Sequence, residues 1–368
     1  MKYIELVKGL FTADHEARSK QADPYVSYSI EANKLMLNLS PEPVVNGPWV
    51  TFTAQEDNSS VGLAKLSKYQ TLEYSNDTTT WNTFNTETNI PLNNGDKVYV
   101  RGILSTDNTS SNYTQFKMGG KIAASGNCNA LWDYNDLEAP LKSYCGYRVF
   151  YKCTSLTTAP ELPATELAIW CYHNMFSDCT SLTTAPELPA TTLAVRCYQA
   201  MFQNCTSLVQ APELPATTLA NGCYIGMFYG CTSLTTAPEL PATTLATECY
   251  LNMFQNCTSL VQAPELPATT LAESCYSGMF RDCTSLTTAP ELPVTTLAGR
   301  CYQSMFNGCN NLNYIKCLAT DISATSCTNN WVARVVSTGT FIKHPNMTSW
   351  TTGVSGIPAD WTVEDAVL

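Results

Sequence analysis

Residues 179–204 read CTSLTTAPELPATTLAVRCYQAMFQN, and residues 205–230 read CTSLVQAPELPATTLANGCYIGMFYG. The same frame returns at a fixed interval, the step from Cys179 to Cys205, and is marked by Cys153, Cys179, Cys205, Cys231, Cys257, Cys283 and Cys309. A period of this order is the signature of a stacked array, whose units are each too small to bury an apolar face alone. The units therefore form an alignment inside one chain. Leu182, Ala185, Pro186, Glu187, Leu188, Pro189, Leu193, Cys197, Tyr198, Met201 and Phe202 recur in the next unit, while Val195–Arg196, Gln199–Ala200 and Gln203–Asn204 change.

Placed on a helix at about 100° per residue, the changing positions share one face and Cys197, Tyr198, Met201, Phe202 and Cys205 share the other. The spacing predicts an amphipathic helix in each unit, N-capped by Thr165, Thr191, Thr217, Thr243, Thr269 and Thr295. The stretch TSLTTAPELPA predicts a short extended segment interrupted by its prolines, and stacking at ~4.8 Å would make a parallel sheet. Packed helices need a wider separation than strands, so they are expected on a broad, convex side. On this reading the changing letters face water, and Trp170, His173, Arg196, Gln199, Ile225, Tyr229, Leu251 and Arg281 form a candidate binding face. Glu161, Glu187, Glu213, Glu239, Glu265 and Glu291 recur as a solvated acidic ridge.

The remaining sequence has other grammars. Between residues 41 and 126, runs such as WVTFTA, KVYVRGI and TQFKMGGKIA alternate apolar with polar and are divided by turn text such as NNGD, which predicts a small antiparallel β-sandwich or jelly roll. The array then occupies residues 127–332, with GNCNALWDYNDLEAPLKSYCGY as its N-terminal cap. Residues 333–368 are expected to close its far end with Phe341, Trp350, Ile357 and Trp361, beyond a Trp331 that stands where the units have Met. Residues 1–40 offer a helix over Asp14 to Lys20 and the runs YVSYSIE and KLMLNLS. They are read as an attachment leader, or alternatively as a hairpin joining the sandwich.

Composition narrows the function. At 44% hydrophobic and 14% charged the chain has ample core material, and a formal net charge of -11 with no basic cluster argues against nucleic acid. No segment has the run of apolar residues that a membrane helix needs. The 17 cysteines form two in-register series, the second running from Cys145 to Cys327, with Cys128 and Cys317 outside them. That regularity, in a chain whose start lacks a secretory signal, is expected of buried free thiols and not of a disulfide framework. No metal site is expected, because the cysteines within a unit stand too far apart in sequence for a zinc knuckle and the only histidines are His15, His173 and His344. No nucleophile, hydrolase or phosphate-loop motif occurs, and acidic pairs such as Glu56 and Asp57 sit in loop text, so neither catalysis nor a cofactor is expected.

The unit CTSLTTAPELPATTLAxxCYxxMFxxC resembles the BspA-like leucine-rich repeats, over residues 145 to about 332. The resemblance implies an α/β leucine-rich-repeat solenoid of 26-residue strand-helix units, here preceded by the β-sandwich. The tail STGTFIKHPNMTSWTTGVSGIPADWTVED is similar to those closing such arrays in gut Bacteroidales and their phages. Together these imply a non-enzymatic adhesion or structural protein. The favoured form is a phage head or tail fibre, made in the host cytoplasm, anchored to virion proteins through the leader, and homo-oligomeric. It would bind a host surface protein or glycan. A bacterial cell-surface adhesin and a cytosolic scaffold are the alternatives. On this reading truncating Met227 or Phe228 opens the core, whereas changing Trp170, Tyr229 and Leu251 to Ser leaves the array folded.

Overall fold

The computed structural model describes residues 47–368 in full and, before them, only the backbone of β1 (Val26–Glu31) and β2 (Lys34–Leu39). The helix expected over Asp14 to Lys20 lies outside the described residues. β1 and β2 pair antiparallel, Val26 opposite Leu39, in a two-stranded sheet of their own. They belong to a separate unit from residues 48–368, which form one compact body.

That body begins with two sheets. β3 (Val50–Ala54), β5 (Gln70–Ser75), β6 (Asn82–Thr83), β8 (Lys97–Leu104) and β10 (Ile122–Ser125) join in the order β10-β3-β8-β5-β6. β4 (Ser59–Lys65), β7 (Asn89–Leu92) and β9 (Gln115–Gly119) form the second sheet, with β4 in its centre. All these pairings are antiparallel. In β8 the alternation of KVYVRGIL buries Val98, Val100 and Leu104 on one face, as a period of two requires. Phe52 of the first sheet meets Phe116 of the second at 5.1 Å.

The first sheet does not stop at β10. β11 (Leu156–Thr158), the opening strand of the repeats, pairs with it in parallel, Ile122 beside Leu156. Phe116 stacks on Phe150 at 5.3 Å, and Phe150 on Phe176 at 5.4 Å. The β-region thus supplies the array with its first sheet edge and its first aromatic ring.

The repeats differ from the expected strand-helix unit. Among the described residues there is no α-helix, and the one helical segment is a 3-10 turn at Cys128–Leu131, outside the repeated frame. Cys197, Gln199, Met201, Gln203 and Cys205 donate their N–H to the carbonyl three residues back. Between them Arg196, Tyr198, Ala200, Phe202 and Asn204 donate to Asn221, Cys223, Ile225, Met227 and Tyr229 of the next rung. No N–H is left for the bond to the fourth residue back that defines an α-helix. Arg196, Ala200 and Asn204 have φ of 55°, 53° and 58°, a left-handed conformation that no continuing α-helix contains. Each is the third residue of a four-residue turn, where a type II turn requires positive φ.

The helical wheel still picked the correct interior. A chain of turns repeating every fourth residue and a helix repeating about every 3.6 select the same letters over so short a segment. Cys197, Tyr198, Met201, Phe202 and Cys205 are all buried. The threonines cap nothing, since there is no helix N-terminus. Around them lie rung-to-rung bridges such as Thr192 to Thr218 and Thr244 to Thr270, and Thr269 donates its N–H to the Thr243 carbonyl at 2.9 Å. The other expected pairing line runs through Thr158, Thr184, Gln210, Thr236 and Gln262, parallel but one residue wide. Pro186 and Pro189 bring no N–H to widen it.

Without helices the crowding that was to force a convex helical side is gone. From Phe150 to Phe306 the rings follow one another at 5.4 to 5.8 Å. A second column runs from Tyr172 to Tyr302, and Trp331 ends both, 6.2 Å from Tyr302 and 6.3 Å from Phe306. Trp350 stacks on Trp331 at 5.6 Å, and Phe341, Ile357 and Trp361 are buried beside them. Phe341 sits in a final parallel sheet of β12 (Tyr314–Cys317), β13 (Thr340–Lys343) and β14 (Thr362–Asp365).

Truncating a ring inside the column, as in Phe228→Ala, is expected to lower unfolding free energy by about 3–5 kcal/mol in denaturant titration. Gly278 has φ of 61° and faces Asn252 one rung back, so closely that a Cβ would collide with the amide oxygen. Gly278→Ala is therefore expected to cost about 1–2 kcal/mol, and a double-mutant cycle should show a smaller cost in an Asn252→Gly background.

Candidate functional site

The positive-φ positions define the rim of the stack. Tyr144, Trp170, Arg196, Gly222 and Glu248 hold the same place in successive rungs and have φ between 55° and 63°, so the Cα–Cβ bonds of the four that carry one leave their rungs in the same direction. Tyr144 and Trp170 stack at 5.6 Å with 3° between their planes. On the far side of Trp170, the Arg196 guanidinium lies 5.2 Å from the ring centre. Arg196 then passes over Gly222 to reach Glu248 at 3.4 Å. A Cβ on Gly222 would come within 3.2 Å of Arg196 Cγ, so the glycine keeps that path open.

A second line runs beside this column. Tyr147 stacks on His173 at 5.2 Å, His173 lies 4.9 Å from Trp170, and Arg196 Nη1 donates to Gln199 Oε1 at 3.1 Å. Arg148 spreads beneath it, its guanidinium 5.3 Å from the Tyr147 ring, 5.0 Å from Tyr151 and 6.0 Å from Tyr113. Lys65 stands 4.0 Å over Tyr113, and Lys152 stands 5.1 Å over Tyr151. Such cation–ring contacts are each worth about 0.5–1 kcal/mol when exposed and more when dehydrated.

Of the eight residues expected on a water-facing surface, Arg281 is exposed, while Trp170, Arg196, Gln199, Ile225, Tyr229 and Leu251 are half-buried. His173 is a correction, because it is buried at 7% exposure under Tyr147 and Trp170. Burial first, and then the charges of Arg148 and Arg196, push its pKa down to about 4. The structure gathers Trp170, His173, Arg196 and Gln199 into one cluster; Ile225, Tyr229, Leu251 and Arg281 lie on later rungs. Sequence reading missed Tyr144, Tyr147, Arg148 and Tyr151. The signal was present in YCGYRVFYKC, residues 144–153, which has the spacing of WCYHNMFSDC at 170–179 and is richer in aromatics.

Glu161, Glu187, Glu213, Glu239, Glu265 and Glu291 are exposed, Glu291 pairing with Lys316 at 2.9 Å, and shallow clefts separate neighbouring Pro-Glu-Leu-Pro segments. Glu56 and Asp57 accept backbone N–H bonds from Lys121 and Asn94. The 17 cysteines are free and buried. In one series each thiol donates to the Phe carbonyl one rung back, Cys179 to Phe150, Cys205 to Phe176 and so on to Cys309 and Phe280, at 3.0 to 3.1 Å. Cys153 makes the same bond to Phe116 of β9 at 3.4 Å. Burial pushes the thiols of Cys153, Cys231 and Cys309 up to about 12, so they stay protonated and unreactive at neutral pH.

An array of stacked rungs, with a repeated interior and a varied rim, is the build of a protein that works by presenting surface. The chain belongs to the BspA type leucine rich repeat family, whose model matches six copies over residues 137–261 and 199–330, together more than half of its length. Proteins of this family are typically non-enzymatic. The match carries no indication of a gut Bacteroidales or phage source. No curated protein and no solved structure matches the chain.

Two solution measurements test this chemistry. Native protein should react with few equivalents of an alkylating reagent and denatured protein with all 17 cysteines exposed to it. His173 titrates near 6.5 when unfolded and at about 4 when folded, so the unfolded chain takes up the proton first as pH falls. Its contribution is complete above 6.5 and lost between 6.5 and 4. The melting temperature of His173→Gln should therefore depend less on pH in that window than that of the parent.

Proposed function

We propose that the chain is a non-enzymatic adhesin of the BspA type, displayed at a cell surface and binding a surface protein or glycan through the varied rim of its solenoid. One observation carries this reading. The buried Cys, Tyr, Met, Phe and Leu positions repeat from rung to rung, and most of the letters that differ stand on the rim, where specificity can change without disturbing the core. The varied rim is not free of structural duty, since many of its positions require positive φ. It nevertheless includes Trp170, Tyr229, Leu251 and Arg281, and aromatic and arginine side chains are of the kind enriched at interfaces. The virion-appendage reading lacks comparable support, because the family match carries nothing of a particle.

The test is binding of the labelled full chain to intact host cells. Saturable binding is expected, with loss in a Trp170→Ser, Tyr229→Ser, Leu251→Ser triple variant that melts within a few degrees of the parent. A folded triple variant that binds as before would remove the rim from the account. Recovery of the chain from purified phage particles, without cell-surface display, would favour the virion alternative.

A further inference from the structure

We propose that Tyr144, Arg148, Trp170, His173 and Arg196 form a binding site for a carboxylate-bearing saccharide; this rests on the adhesion reading above and names the ligand class. The chain carries a formal net charge of -11, yet Lys65, Arg148, Lys152 and Arg196 collect around the rings at this one end of the repeats. Such local reversal of sign attracts anions.

The cluster is also short of partners. Among the described residues Arg101, Arg196, Arg281, Arg300 and Arg334 each make an ion pair, and Arg148 makes none. Its Nε is buried and has no hydrogen-bond partner. His173 is 7% exposed, and its Nδ1 is likewise buried and unpartnered. A buried polar atom left so has lost its water without gaining a partner. A carboxylate laid against Arg148 would satisfy the guanidinium in its bidentate geometry. Arg196 is only loosely held by Glu248 at 3.4 Å, in a pair about a third exposed, so it is available as a second donor.

The surroundings favour a sugar over an acidic peptide. A peptide docking as a strand needs free backbone groups, and one docking as a helix needs an apolar groove. Here the N–H groups of Tyr144, Arg148 and Lys152 are already bonded to Ile169, His173 and Ser177 of the next rung. The half-buried Tyr113, Tyr144 and Tyr151 offer ring edges and hydroxyls, not a groove. A pyranose, with a C–H face and a rim of hydroxyls, matches both, and a carboxylate on that ring supplies the charge.

The test is binding of the full chain to immobilised hyaluronan and polysialic acid, with dextran as neutral control and poly-L-glutamate as acidic-peptide control. At least one carboxylated polysaccharide should bind about tenfold more tightly than either control. Arg148→Asn, which suits the positive φ of 55° at that position, should weaken that binding about tenfold while still unfolding in one cooperative transition, its melting temperature lowered only as far as the loss of the Tyr113, Tyr147 and Tyr151 ring contacts entails. Lys152→Gln, at an exposed position, should weaken it less, and gives the result if Arg148→Asn fails to fold. Equal binding to poly-L-glutamate, no binding to either polysaccharide, or unchanged affinity in both variants would overturn the proposal. Cell binding that persists without polysaccharide binding would sink this site alone; polysaccharide binding without cell binding would sink the adhesion reading.

Discussion

The repeat array depends on how each rung divides its backbone N–H groups. Every second one closes a turn within the rung and those between bond to the rung that follows, as Arg196, Tyr198, Ala200, Phe202 and Asn204 do. The division requires a left-handed residue at every fourth position, because a right-handed run would close into a helix and leave nothing to bond to a neighbour. Helices packed side by side also stand farther apart than this stack allows. The Phe rings are no more than 5.8 Å apart from Phe150 to Phe306. Close spacing, stacked rings and thiol-to-carbonyl bonds all follow from that choice.

The same constraint reshapes what variation means. Unit positions that change are in large part those with positive φ, and their occupants answer one another between rungs. Asn204 leans over Gly230, Asn252 over Gly278 and Asp282 over Gly308, and each glycine leaves the space its neighbour's side chain fills. Arg334 crosses Gly308 to reach Asp282 at 3.0 Å, as Arg196 crosses Gly222. Much of the rim is thus fixed in columns, and a surface free to change for binding is narrower than a helix face would have offered. The Tyr144–Trp170–Arg196 column is where that rim is most aromatic and most cationic.

How far the fold could be read from the letters follows from this. The period, the buried letters and the parallel stacking were legible because stacking copies each core position at a fixed interval. The turn text and two-residue alternation of residues 47–125 likewise announced antiparallel strands. The helix was misread because a turn repeating every fourth residue keeps nearly in phase with a helix over so short a stretch. The contrary signal was Gly222, Gly226 and Gly230, three glycines spaced by four in one unit, where a helix would tolerate them poorly and left-handed positions welcome them. His173 was placed outside for the same reason. The candidate cluster was only half visible, since the partial rung at 144–151 lacks the opening Cys that marks the others.

The central claim is therefore conformational, and backbone chemical shifts across Ala194–Asn204 test it most directly. The account predicts shifts that alternate, with Arg196, Ala200 and Asn204 displaced to left-handed values. A uniform run of α-helical shifts through those residues would contradict it.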